Sequence, residues 1–235
     1  MLMTEDRSPT ERAKSRKGFP GESDAYAEAR AALLLEEAEL QRHIDRVAEL
    51  RRSLPEGPLI QKDYRFKDAN GSDVGLAELF GERDSLLTYF WMYGPERERP
   101  CPMCTNLLGP LDANTPDLQQ RVAVAVLGRS SVERQLAFAK ERAWDSLPFY
   151  QTVGDDYGLD FGGLDQSNGW EYPVLAVFQK SSAGVRLFWR GEMTKEMAEP
   201  GKDPRGGPDP AILWTMLDLT PEGRGTDWYP KLAYV

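Results

Sequence analysis

Histidine occurs once in the 235 residues, as His43, and cysteine twice, as Cys101 and Cys104. One copy therefore cannot complete the four-ligand Cys/His set of a structural zinc site, and two cysteines cannot build a disulfide framework. The apolar stretches are all strand-length, short of the roughly 20 residues that span a bilayer as a helix. Basic residues are in deficit: 29 Lys and Arg stand against 38 Asp and Glu, a formal net charge of −9. Without a concentrated basic face the phosphate contacts of a nucleic-acid binder have no source. Residues 1–21 lack the apolar segment of a secretory leader. A reducing cytoplasm is the compartment this predicts. Gly162-Gly163 and Gly206-Gly207 lack the spacing and the Lys-Ser/Thr of a phosphate loop. The segment from Gly154 to Phe161 does not match a calcium loop, so Asp155, Asp156 and Asp160 read as turn and cap residues.

What is present is material for a globular core, with 40% hydrophobic and 10% aromatic residues. Residues 1–22 mix charge, Ser, Pro and Gly without apolar periodicity and read as a disordered tail. Residues 23–55 predict a long amphipathic helix capped by Ser23 or Asp24, with Tyr26, Ala29, Leu33, Leu40, Ile44, Val47, Leu50 and Leu54 on one stripe. The stripe serves either packing on the chain's own domain or contact with a second copy. His43 reads as a solvated residue of this helix.

Residues 56–235 read as one α/β domain. Asn70-Gly71 predicts a hairpin turn between short strands, and the unalternating apolar run from Ser85 to Tyr93 predicts a strand buried on both faces. Pro110 and Pro116 are expected to bend or split the helix after Cys101. Residues 122–127 predict a strand, Ser130-Ser131-Val132-Glu133 a capping box for the following helix, and 147–152 a short strand. Residues 154–169 read as a loop, and 174–178 with 185–190 as an antiparallel pair. A last helix is expected from Ile212.

The only two cysteines fall in Cys101-Pro102-Met103-Cys104, between the central strand and the helix. That is the sequence form of a thiol–disulfide site. Within a first helical turn two sulfurs can approach bonding distance, and the first sits where free N–H groups and the helix dipole favour thiolate, the nucleophilic form. Pro102 suits a first-turn position because its missing N–H has no intrahelical partner to lose. The order of elements is the thioredoxin-like arrangement, a mixed central sheet flanked by helices with an N-terminal helical extension.

The combination of Tyr64-Arg65-Phe66, Leu76-Ala77-Glu78-Leu79-Phe80, the Cys-Pro-Met-Cys motif and Gly154 to Phe161 resembles the bacterial family catalogued as domain of unknown function 899. The resemblance covers most of the chain. It implies a thioredoxin-like fold and a dithiol–disulfide oxidoreductase role but no particular substrate; the chain itself is read as acting without a bound cofactor on a protein or small-molecule disulfide, with homodimerisation open. It also implies that Pro173, in Tyr172-Pro173-Val174, stands where thioredoxin-like proteins carry a cis-proline facing the active site. Trp170, Tyr172 and Pro173 are then expected to bind substrate, against the plainer reading of Pro173 as a strand-starting residue. Tyr89 falls where thioredoxins hold a buried aspartate, which leaves no evident carboxylate to take the proton of the second thiol. Arg97 and Arg99 are placed to lower the Cys101 pKa, opposed by Glu96 and Glu98.

The expected chemistry is attack by the Cys101 thiolate on a disulfide and resolution by Cys104. Three other readings compete. A peroxiredoxin pattern needs Thr or Ser three residues and Pro seven residues before the cysteine. Those places hold Glu98 and Gly94 for Cys101, and Cys101 and Arg97 for Cys104. Metal binding would need carboxylates or a second subunit. A non-catalytic adaptor would explain the missing carboxylate.

Overall fold

The structure, a computed structural model, describes residues 8–191, 212, 219–220 and 229–234. The helix expected from Ile212 lies almost wholly outside them. The chain divides into two units, residues 1–55 and 56–235.

The first unit is helical. Within the expected tail, α1 (Pro9–Lys14) forms because Ser8 and Glu11 make a reciprocal capping box and Pro9 occupies the first turn. Local capping chemistry here supplies what apolar periodicity does not. The long helix α2 (Asp24–Arg52) begins at Ser23, whose hydroxyl accepts from the Tyr26 N–H at 3.2 Å. His43 is exposed on it.

The second unit is a seven-stranded mixed sheet: β1 (Arg65–Lys67), β2 (Asp73–Gly75), β3 (Ser85–Trp91), β4 (Ala123–Gly128), β5 (Phe149–Thr152), β6 (Val174–Ser181) and β7 (Gly184–Arg190). Their order is β2-β1-β5-β4-β3-β6-β7. β3, β4 and β5 run parallel, whereas β6 is antiparallel to β3 and β7 to β6. The helices are α3 (Pro102–Leu118), α4 (Val132–Glu141) and the short α5 (Asp156–Asp160). This is the expected α/β thioredoxin-like fold, with the β3–α3–β4 unit beside the β6–β7 hairpin.

Strand periodicity sorts the core into two layers. Leu86 and Phe90 of β3 join Phe66, Leu127, Tyr157, Phe161 and Phe178 on one face. Tyr89 and Trp91 of the same strand join Cys104 and Leu108 of α3 and Phe138 of α4 on the other. Each fully buried large apolar side chain contributes about 1.5–3 kcal/mol. Exposed pairs such as Arg52–Glu49 contribute about 0.3–0.5 kcal/mol. The two aromatic-rich layers, not the ion pairs, hold the sheet and its helices together.

Three local expectations are corrected. Pro110 and Pro116 do not split α3, which runs unbroken to Leu118. Near each proline, side chains bond back to helix carbonyls: Asn114 Nδ2 to Pro110 at 2.7 Å and Thr115 Oγ1 to Leu111 at 2.8 Å. The cap of α4 is Ser131 alone, its hydroxyl accepting from Arg134 N, while Ser130 is buried and its N–H bonds to the Tyr93 carbonyl. The loop after Gly154 contains α5, because Tyr157 and Phe161 lie one turn apart and both enter the core.

Candidate active site

β3 delivers the chain to the site. Its end is tied to the start of α3 by the Cys101 N–H, which bonds to the Met92 carbonyl at 3.1 Å. Cys101 is the N-cap of α3 with Pro102 behind it, and the Cys101 carbonyl accepts from both Thr105 N and Thr105 Oγ1 at 3.0 Å. This fixes the first helical turn. Both cysteines are free thiols, and they stand 3.8 Å apart. Cys101 is half-buried, while Cys104 is 1% exposed.

The two thiols are driven in opposite directions. The Cys104 thiol, as a hydrogen-bond partner, is the largest influence holding the Cys101 pKa down at about 6. Burial opposes it, and the backbone N–H groups of Cys104 and Met103 and the charge of Arg97 add to the lowering. At pH 7 a thiol with a pKa of about 6 is roughly ten parts thiolate to one part thiol. Cys104 is pushed well above the ordinary thiol value, first by burial and then by Cys101. Tyr89 acts against that rise through a hydrogen bond to the Cys104 sulfur. Tyr89 is itself 2% exposed, and burial pushes its phenol pKa well up.

The arginines of the 94–100 loop divide their work. Arg97 is the one acting on Cys101. Arg99 instead pairs with Glu141 and lies over the Phe138 ring at 4.8 Å, because α4 offers it a carboxylate and a ring face. Glu96 and Glu98 are exposed.

Sequence reading missed the residue that holds this loop. Glu171, 4% exposed, accepts from the Gly94 N–H at 3.0 Å and Arg97 Nε at 3.2 Å, with Arg129 Nη1 at 3.4 Å. Arg134 adds a bond to the Arg97 carbonyl at 2.6 Å and lies over the Tyr93 ring at 4.9 Å. Glu171 is a single carboxylate among aromatics, far along the chain from Gly94, and no spacing pattern marks it.

Trp170, Tyr172 and Pro173 lie in the segment that leads into β6. Trp170 is 55% exposed and carries Arg97 over its ring at 5.5 Å, which links it to the Cys101 side of the site. Val174 pairs with Phe90, so Pro173 lies at the sheet end from which β3 leads to Cys101. Tyr172 and Pro173 are half-buried. The expected cis bond is corrected: Tyr172–Pro173 is trans. Here the preceding segment is anchored by backbone bonds, Tyr172 N to the Gly163 carbonyl and the Leu164–Glu171 bridge, and runs extended into β6 through a trans bond. Among the described residues no helix is long and apolar enough to cross a membrane.

Solved structures with a related chain trace are distant. A peroxidoxin, BcpB, from Mycobacterium tuberculosis is 16% identical over 57% of this chain and 82% of its own, with a TM-score of 0.45. An exposed lipoprotein thioredoxin, Etrx1, from Streptococcus pneumoniae is 17% identical over 66% of this chain and 98% of its own, at 0.42. A mitochondrial 2-cys peroxiredoxin from Plasmodium falciparum is 16% identical over 71% of this chain and 93% of its own, at 0.43. No curated sequence matches this chain. The sequence profile of the family described as bacterial protein of unknown function (DUF899) matches residues 17–234, and the chain belongs to that family.

Proposed function

We propose that the protein is a dithiol–disulfide oxidoreductase in which Cys101 is the nucleophile and Cys104 the resolving thiol. The observation that carries this reading is the split between the two sulfurs. Cys101 is ionised at neutral pH and half-buried at a helix N-terminus, whereas Cys104 is buried and protonated within reach of it. A lone structural cysteine pair has no need of that asymmetry, and a nucleophile with a resolving partner does. Cys101 thiolate attacks one sulfur of a substrate disulfide and expels the other as thiolate. Cys104 then attacks Cys101, forming the Cys101–Cys104 disulfide and releasing the second substrate thiol. An external dithiol of low potential reduces the pair again.

Trp170, Tyr172 and Pro173 are proposed as the substrate-facing rim, and the reducing cytoplasm as the compartment. A second copy of the chain is proposed along α2, whose apolar residues recur every seven positions at Tyr26, Leu33, Leu40 and Val47.

Cys101→Ser is expected to abolish turnover of a disulfide substrate, and Cys104→Ser to accumulate mixed disulfides visible by mass spectrometry. The dithiol couple should titrate reversibly between roughly −120 and −300 mV in graded thiol buffers. Undiminished turnover in Cys101→Ser, or no reversible couple, would leave the adaptor reading in its place.

A further inference from the structure

Cys104 must lose its proton to resolve a mixed disulfide, yet it lies in one of the least hospitable places for a charge in the molecule. The core layer it belongs to also holds Leu108, Val124, Val126, Trp91, Met92 and Phe138. The titratable groups that face it are Cys101 from its own helix and Tyr89 from β3. Tyr93 shares the layer under the guanidinium of Arg134, and Arg97 acts from the loop on Cys101. On the β6 side the layer is closed by Leu175, the register partner of Tyr89, and on the α4 side by Phe138 and Ala139.

Strand alternation puts Tyr89 on the α3 face of the sheet, in the layer that holds Cys104. A buried phenol O–H needs an acceptor. Tyr89 and Cys104 share this buried layer, and the Cys104 sulfur, 3.8 Å from Cys101, is the group that acts on the phenol.

We infer that the Tyr89 hydroxyl is a catalytic hydrogen-bond donor, which stabilises negative charge on Cys104 Sγ while that sulfur attacks the Cys101 mixed disulfide. The inference rests on the dithiol reading above. Tyr89 is a donor here and not a base, because its own proton is held firmly by burial. The step balances without any further reactant. The Cys104–Cys101 S–S bond forms, the bond from Cys101 to the substrate sulfur breaks, and the Cys104 proton leaves with the departing thiolate as thiol. In the reduced protein the same hydroxyl polarises the Cys104 S–H that supports the Cys101 thiolate. One group thus serves both halves of the cycle, and more strongly the second, where Cys104 itself carries the charge.

Dithiobis(nitrobenzoate) tests this in a single turnover, since it releases one coloured nitrothiobenzoate when Cys101 attacks and a second when Cys104 resolves. In Tyr89→Phe the second release is expected to slow by about 10- to 100-fold at pH 7, the range of a hydrogen bond to a charged group. Its pH midpoint should move up, with the rates converging at high pH, while the first release changes by less than about threefold, the charge being one bond further away. Fluorotyrosine at position 89, a stronger donor of nearly the same shape, should shift the midpoint the other way. A second release with an unmoved midpoint in both variants, or one slowed equally at every pH, would make Tyr89 a packing residue and overturn the inference. No second release in the unaltered protein would instead remove the dithiol reading, and this inference with it.

Discussion

Replacing Cys104 with alanine removes the largest influence holding Cys101 ionised. The rate of Cys101 alkylation, followed against pH, has its expected midpoint at about 6 in the unaltered protein. In Cys104→Ala that midpoint should climb toward the ordinary thiol value of 9.0, and in Cys104→Ser, which keeps a hydroxyl donor, it should climb less. The sign for stability follows. Cys101 has a lowered pKa in the folded state, so its thiolate stabilises the fold fully above 9.0, and that contribution fades as pH falls through about 6. Cys104 is raised, so it favours the fold below 9.0 and that contribution is lost only as pH climbs above 9.0, outside the window in which Cys101 acts. In Cys104→Ala the Cys101 midpoint moves toward 9.0, so denaturant midpoints should rise less between pH 6 and pH 9 than in the unaltered protein. The cysteine spacing is legible in the sequence. The direction of each thiol's shift is not, because it depends on which sulfur is buried and on which groups bond to it.

At the scale of elements, the 94–100 loop is set by a close approach between Gly94 and Glu171. A Cβ on Gly94 would overlap Glu171 Oε1. Gly94→Ala is expected to lower unfolding stability by about 1–3 kcal/mol, the range for forced overpacking, and to loosen Arg97 from its carboxylate. Urea denaturation reads the first effect, and an upward drift of the Cys101 alkylation midpoint reads the second. Glu171 is where patterns failed most completely. A buried carboxylate is tolerated only when its bonds are filled, and the partners come from Gly94, Arg97 and Arg129 on two other segments. α3 stays unsplit for the opposite reason. Its prolines are conspicuous, but the helix is anchored at Cys101 and packed through Leu108, and that context overrides the local preference.

At the scale of the whole molecule, both core layers around the sheet begin at Tyr64 or later. A chain of residues 56–235 should therefore unfold cooperatively on its own and keep the Cys101 midpoint at about 6. Sedimentation of this shorter chain should give a monomer and that of the full chain a dimer, if α2 is the seam proposed above. Equal mass classes for the two would refute the α2 seam, and a shorter chain without a cooperative transition would show that its core needs the helical unit.

The strands and most helices of the second unit, the long helix of the first, the placing of Cys101 and Cys104 at a strand-to-helix turn, and the family are all legible along the chain. These rest on periodicity, capping residues and a motif of four positions, all of them local. The trans bond before Pro173, the latch at Glu171, the pairing of Arg99 with Glu141 and the meeting of Tyr89 and Cys104 in one layer come from the folded arrangement. Each depends on groups outside the local motif, brought together by sheet register, loop anchoring and helix packing. A side chain's neighbours at that range are fixed by how the layers close, and no stretch of the chain read alone carries that information.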